Sequence, residues 1–127
     1  NTSSFSGIHG HGNQSAYGSS KFALVGMSEF LRNDLKDTNV SVSVLCPHVV
    51  DTNIISKLKA RVSGDVLKMI NQMAVDPSIV GDQVLKAIIE KEFYIFCDGI
   101  HTREMLKARC DAMLSAMDRQ FPEEKND

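Results

Sequence analysis

Nowhere does the 127-residue chain hold an apolar run approaching the roughly 18 residues of a membrane-spanning helix. Charge of one sign is equally scarce, because 14 Lys+Arg against 16 Asp+Glu leave a formal net charge of -2. The two signs are interspersed, which gives no electrostatic case for nucleic acid or a membrane surface. The opening residues are rich in Ser and Gly and lack the basic and apolar regions of a signal peptide, so none is expected. Cysteine is limited to Cys46, Cys97 and Cys110, an odd number set far apart. That pattern predicts buried or half-buried free thiols and a reducing, cytoplasmic setting, rather than a disulfide or a thiol nucleophile. His9 and His11 flank a glycine without the spacing of a structural zinc site, and adding His48 or Asp51 does not supply it. No metal is expected. No internal repeat or low-complexity tract is present.

What is present is an alternation of helical and strand-like segments. Asn1 to Ser15 reads as a loop of Ser, Gly, Asn and His. Ser15 is a candidate cap for a helix to about Lys36, with Phe22, Val25, Leu31 and Leu35 on its apolar face. Val40, Val42, Val44 and Cys46 alternate with Ser41, Ser43 and Leu45, a period-two strand that Pro47 stops. Ile54 to Val62 and Asp65 to Met73 each suit a short helix, with Ser63-Gly64 between them. Asp76-Pro77 marks the next helix start, followed by an apolar face of Val80, Val84, Ala87 and Ile88 to about Lys91. Phe93 to Cys97 suits a short strand, and Thr102 can cap a last helix. That helix carries the stripe Met105, Leu106, Cys110, Met113, Leu114 and Met117, for which core packing is expected because Met fills irregular gaps.

Strands alternating with helices indicate an α/β protein with a parallel sheet. Two parallel strands are too few, since such strands need cover on both faces and neighbours on both edges. The chain is therefore expected to hold only part of its sheet. A start at Asn1 without a methionine agrees with a fragment. The tail from Pro122 is charged and expected to be frayed.

Tyr17 and Lys21 are four apart at the start of the first helix, which places both on one face. A phenol is a reluctant base at neutral pH, and a nearby ammonium favours its phenolate. A tuned tyrosine can give a proton to a carbonyl oxygen or take one from an alcohol, typically worth about 10²–10⁴ in rate. Alone, Tyr-x-x-x-Lys is a weak signal that also fits a solvated surface pair.

The surroundings are more specific. Asn1-Thr2-Ser3-Ser4 lies upstream, with Ser4 thirteen residues before Tyr17. The pair sits in Ser15-Ala16-Tyr17-Gly18-Ser19-Ser20-Lys21-Phe22-Ala23-Leu24, and a strand then leads into Cys46-Pro47-His48-Val49-Val50-Asp51-Thr52. In this order and spacing the three segments resemble the short-chain dehydrogenase/reductase family, over nearly the whole chain and from its C-terminal, catalytic half only. The resemblance implies a partial doubly wound, Rossmann-type parallel sheet with the N-terminal half of the domain missing, residues 1–121 forming the C-terminal half of one domain and 122–127 a tail.

That resemblance implies an NAD(P)-dependent oxidoreductase acting on a small carbonyl/alcohol substrate, with NAD and NADP both left open. Tyr17 would be the general acid/base. Lys21 would favour its phenolate and hydrogen-bond the nicotinamide ribose. Ser4 would donate to the substrate oxygen, with Ser3 the neighbouring alternative. Thr52, with the backbone of Val50, would hold the nicotinamide carboxamide, and Pro47 would also bind the cofactor, which carries the hydride chemistry. The resemblance further implies a homo-oligomer for the full-length protein, built on the helix bearing Tyr17.

Two departures stand out. His48 replaces the glycine the family usually carries after Pro47, putting a ring beside the nicotinamide. The Gly-rich strand-to-helix turn that holds the cofactor's phosphates is absent, so the 127 residues alone are expected to be inactive. By the same comparison, Phe5 to Gln14 would line the substrate pocket and Ile54 to Met73 would form a lid. Ile54, Ile55, Leu58, Met69, Ile70 and Met73 there suit an apolar substrate or the protein's own core equally. The alternative function is a truncated or inactive family member acting as a non-catalytic subunit or binding partner.

Overall fold

Residues 1–122 are described by the computed structural model. The expected tail therefore lies, from residue 123 onward, outside the described residues. The elements run in the order 3₁₀ turn (Phe5–Gly7), α1 (Ser15–Asp34), β1 (Val44–Leu45), α2 (Asn53–Lys59), α3 (Gly64–Met73), α4 (Pro77–Ile89), β2 (Tyr94–Ile95) and α5 (Arg103–Gln120).

β1 and β2 pair in parallel, Val44 opposite Tyr94 and Leu45 opposite Ile95. On its other side β1 is flanked by the first residues of the chain, with Thr2 bridged in parallel to Leu45. Leu45 donates to the Asn1 carbonyl at 2.9 Å, and the N–H of Ser3 donates back to Leu45 at 2.8 Å. The regular strands are shorter than the apolar runs that predict them. The alternation nevertheless holds, with Val44 and Cys46 fully buried and Leu45 only half-buried. This is an α/β architecture, part of a Rossmann-type parallel sheet in which β1 has a neighbour on each side.

Val25 of α1, Val44, Cys46 and Phe93 form the core cluster, with Ile8 and Val42 packed against it. Among the buried residues of α1 is Ser28, whose hydroxyl donates to the Leu24 carbonyl at 2.7 Å and accepts from the Asn1 side chain at 2.9 Å. A polar residue on the inner stripe is thus satisfied twice, as a buried hydroxyl requires.

Several local expectations are corrected. Ser15 is the first helical residue of α1, and Gln14 occupies the cap position without a side-chain cap bond. Thr102 does precede α5, but its hydroxyl donates to the Asp98 carbonyl and caps nothing in the helix. α4 starts as expected, the Asp76 carboxylate accepting from the Ser78 N–H at 2.8 Å, yet it stops at Ile89 because Lys91 takes a left-handed φ of 58°.

The apolar stripes are covered only in part. Val80 and Ala87 of α4 are buried, whereas Ile88, expected inside, is exposed. On α5, Met105, Leu106 and Cys110 are half-buried while Met113, Leu114 and Met117 are exposed, so core packing accounts for only the first half of that stripe. Leu31 of α1 is also exposed, beside Met27 and Phe30. All three cysteines are free, with Cys46 and Cys97 buried and Cys110 half-buried, as expected. Among the described residues no helix is long and apolar enough to cross a membrane.

Candidate active site

Three parallel segments end side by side: the chain after Thr2, the chain after β1 and the chain after β2. The carboxyl edge of a parallel sheet is where open α/β folds bind ligands. Ser4, the 47–52 segment and Asp98 all lie at this edge.

Ser3 and Ser4 are told apart by their hydroxyls. Ser3 is buried and its Oγ donates to the Lys21 carbonyl at 2.9 Å, so its proton is committed. Ser4 is half-buried, and its Oγ accepts from the Ser6 N–H at 3.2 Å as the cap of the 3₁₀ turn. An acceptor role leaves the Ser4 proton available to a ligand. The turn then presses onto α1. A Cβ on Gly7 would meet the Lys21 carbonyl oxygen at 2.7 Å and carbon at 2.9 Å as well as the Ser3 hydroxyl, so only glycine fits there.

Tyr17 lies on the first turn of α1, its side chain about half exposed at 47%. One turn on, the Lys21 ammonium sits 5.7 Å from the centre of the Tyr17 ring and 3.5 Å from the Thr2 carbonyl oxygen. Tyr17 and Lys21 are thus brought together, and the strand end carrying Ser4 is tied to the same helix. Among the described residues no hydrogen bond joins Ser4 to Tyr17.

The segment after β1 is pinned by its backbone. The Pro47 carbonyl accepts from the Phe5 N–H at 2.8 Å, while Val49 and Asp51 pair with Val75 at 3.0 and 2.8 Å. Val50 is half-buried; Thr52 is exposed and extended, at the cap position of α2. Among the described residues neither bonds to Tyr17 or Lys21. The lid expectation divides, since Ile70 is buried, Ile55 and Met73 are half-buried, and Ile54, Leu58 and Met69 are exposed.

His48 is fixed in a way the sequence does not reveal. Its Nδ1 lies 3.3 Å from the buried carboxylate of Asp98, and its ring meets Phe5 edge-on at 5.4 Å. Asp98 also accepts from the backbone N–H groups of Ile100 and His101 at 3.0 and 3.1 Å, and its Oδ2 lies 3.0 Å from His101 Nδ1. Burial alone would raise the Asp98 carboxyl, but the hydrogen bonds from His101 and His48 outweigh it and hold the group below the usual range. Burial is the larger influence on His48 and holds it below an ordinary histidine despite Asp98. The pairing follows from register, since Leu45 opposite Ile95 carries position 48 opposite 98. His9 stacks on Phe5 at 5.7 Å, and His11 Nε2 lies 3.2 Å from the Ser6 hydroxyl, so both histidines belong to the loop's own packing.

The family model described as short chain dehydrogenase matches residues 1–63, the stretch that holds Ser4, Tyr17, Lys21, Pro47, Val50 and Thr52. The chain belongs to the short-chain dehydrogenase/reductase family. Among its relatives, the Mycobacterium tuberculosis 3-oxoacyl-[acyl-carrier-protein] reductase MabA is 34% identical over 67 residues, 53% of this chain and 27% of that protein. The 1-deoxy-11-beta-hydroxypentalenate dehydrogenase of Streptomyces exfoliatus is 36% identical over 86 residues, 66% of this chain and 29% of the relative. A solved short-chain dehydrogenase/reductase from Burkholderia phymatum in complex with NAD superposes with a TM-score of 0.69 at 25% identity, covering 91% of this chain and 47% of that one. The short-chain dehydrogenase/reductase chain here thus spans less than a third of the curated relatives it matches.

Proposed function

We propose that this chain is the catalytic part of an NAD(P)-dependent oxidoreductase that interconverts a small-molecule carbonyl and its alcohol. The observation that carries the reading is the Lys21 ammonium held 5.7 Å from the Tyr17 ring, one helical turn away and beside the strand end that bears Ser4.

The residues present fit the nicotinamide–ribose half of the cofactor. Lys21 offers ammonium donors, Tyr17 a phenol, and Thr52 a hydroxyl on extended backbone, groups that suit ribose hydroxyls and a carboxamide. Pro47, Val50 and Thr52 would hold the carboxamide, and Lys21 with Tyr17 the ribose. When bound, NAD or NADP supplies or accepts the hydride. Tyr17 gives its phenolic proton to the carbonyl oxygen in reduction and takes it from the alcohol in oxidation. Lys21, its ammonium 5.7 Å from the Tyr17 ring, holds the ribose beside that phenol. Ser4, whose oxygen already accepts from Ser6, donates its own proton to the substrate oxygen where negative charge develops.

The exposed Ile54, Leu58 and Met69 support an apolar portion in the substrate. Met27, Phe30 and Leu31, exposed on the helix that carries Tyr17, support association with a second copy. Three unpaired thiols support a reducing, cytoplasmic setting.

The test is to follow nicotinamide absorbance with the full-length protein, NADH or NADPH, and a panel of aldehydes and ketones. Oxidation of one nicotinamide with at least one carbonyl is expected. No turnover with either cofactor over the panel would contradict the reading and favour the non-catalytic alternative.

A further inference from the structure

The segment that would hold the nicotinamide has several backbone anchors and one half-buried side-chain anchor. Backbone bonds tie Pro47 to Phe5, and Val49 and Asp51 to Val75. The side-chain anchor is His48, whose ring is held between the edge of Phe5 and the carboxylate of Asp98. Asp51 also pairs with Lys59 at 2.9 Å, but at the exposed end of the segment, where solvent weakens the bond. Asp98 itself is immobilised, because its Oδ1 caps the Ile100 and His101 N–H groups and only 5% of its side chain is exposed. A ring oriented by a buried, already fixed carboxylate cannot turn without breaking that bond. The adjoining backbone is held with it.

We propose that Asp98 is a positioning residue: by fixing the His48 ring it holds the backbone of residues 47–52 in the conformation that presents Val50 and Thr52 to the nicotinamide. The inference rests on the functional reading above and adds a residue from the far strand end, 46 positions beyond Thr52. The ring faces Asp98 and His101 from the loop after β2, Phe5 from the 3₁₀ turn, and the charge of His11 from the loop before α1.

A selective variant exists. Asp98→Asn keeps an oxygen for the Ile100 and His101 N–H groups, so the turn into α5 is retained, but it puts an amide donor where the His48 Nδ1–H now finds an acceptor. His48→Leu removes the bond from the other side. His48→Asn restores a donor nitrogen near the Nδ1 position. The experiment measures KM for the nicotinamide cofactor, kcat and the urea midpoint for each variant in the full-length enzyme.

The expected result is a KM for cofactor raised about tenfold in Asp98→Asn and in His48→Leu, with kcat within about threefold of wild type. The double variant should be no worse than either single one, and His48→Asn should recover most of the loss. A purely structural role would instead lower the urea midpoint and leave the KM of the folded fraction unchanged. That outcome, or additive single effects, overturns the inference. A wild type that turns over with a KM indifferent to both residues overturns the inference alone. A wild type that neither binds nor oxidises NADH or NADPH overturns the functional reading together with it.

Discussion

The Ser3 hydroxyl donates to the carbonyl oxygen of Lys21 at 2.9 Å, across 18 positions of sequence. This bond locks the strand end that carries Ser4 onto the helix that carries Tyr17 and Lys21. A long-range hydrogen bond from a buried serine therefore sets the spacing between two groups that would act on one substrate oxygen. Lys21 contributes its carbonyl to the lock and, in the proposed mechanism, its ammonium to the site.

Replacing Ser3 with Ala should destabilise the full-length protein by about 1 kcal/mol, the usual net value of one hydrogen bond. Gly7→Ala should cost more, about 1–3 kcal/mol, because the added methyl must displace both the Ser3 hydroxyl and helix backbone at Lys21. Urea denaturation of the two variants checks the order. A Gly7→Ala protein as stable as wild type would show that the turn does not pack on α1 as described.

Acid should weaken the fold in two stages. His48 is held below its ordinary 6.5, so between its folded value and 6.5 the unfolded chain binds more protons. The stability associated with neutral His48 is complete above 6.5 and declines as pH falls below it. Asp98 is held below its ordinary 3.8, so its contribution is present above 3.8 and is lost as pH falls through its folded value. Melting temperatures across pH 7 to 3 should decline in both ranges, and His48→Asn should flatten only the upper one. An unchanged upper slope in that variant would remove His48 from the titration.

Thiol labelling should follow burial. Cys110 is half-buried on α5, while Cys46 is buried and its thiol is pushed up to about 11 by burial and then by neighbouring Cys97. At neutral pH little Cys46 thiolate exists to react. A maleimide time course read by mass spectrometry should modify Cys110 first, and Cys46 and Cys97 only with denaturant. Native labelling of Cys46 at the rate of Cys110 would contradict the core assignment.

Signals confined to neighbouring residues were the legible ones. Asp76-Pro77 starts α4 because cap and ring act within two residues, and Tyr17 and Lys21 share a face because a helix turns every 3.6 residues. The Val44, Leu45, Cys46 alternation likewise needs only strand geometry. The exposure of Ile88, Met113, Leu114 and Met117 was not legible, because helical periodicity identifies an apolar face without saying what covers it. Nor was the His48–Asp98 pair, which depends on a strand register that no spacing along 50 residues of chain reveals. Gly7 is one loop glycine among several in the sequence, and only the close approach of Lys21 in the fold distinguishes it.

The most direct test of the proton-transfer assignment is turnover by full-length Tyr17→Phe, paired with cofactor binding measured by fluorescence titration. The substitution removes one oxygen and leaves Lys21, Ser4 and the 47–52 segment in place. Loss of at least about a hundredfold in kcat, with cofactor affinity within a few-fold of wild type, is the predicted result. A Tyr17→Phe enzyme that turns over at nearly the wild-type rate would contradict the account.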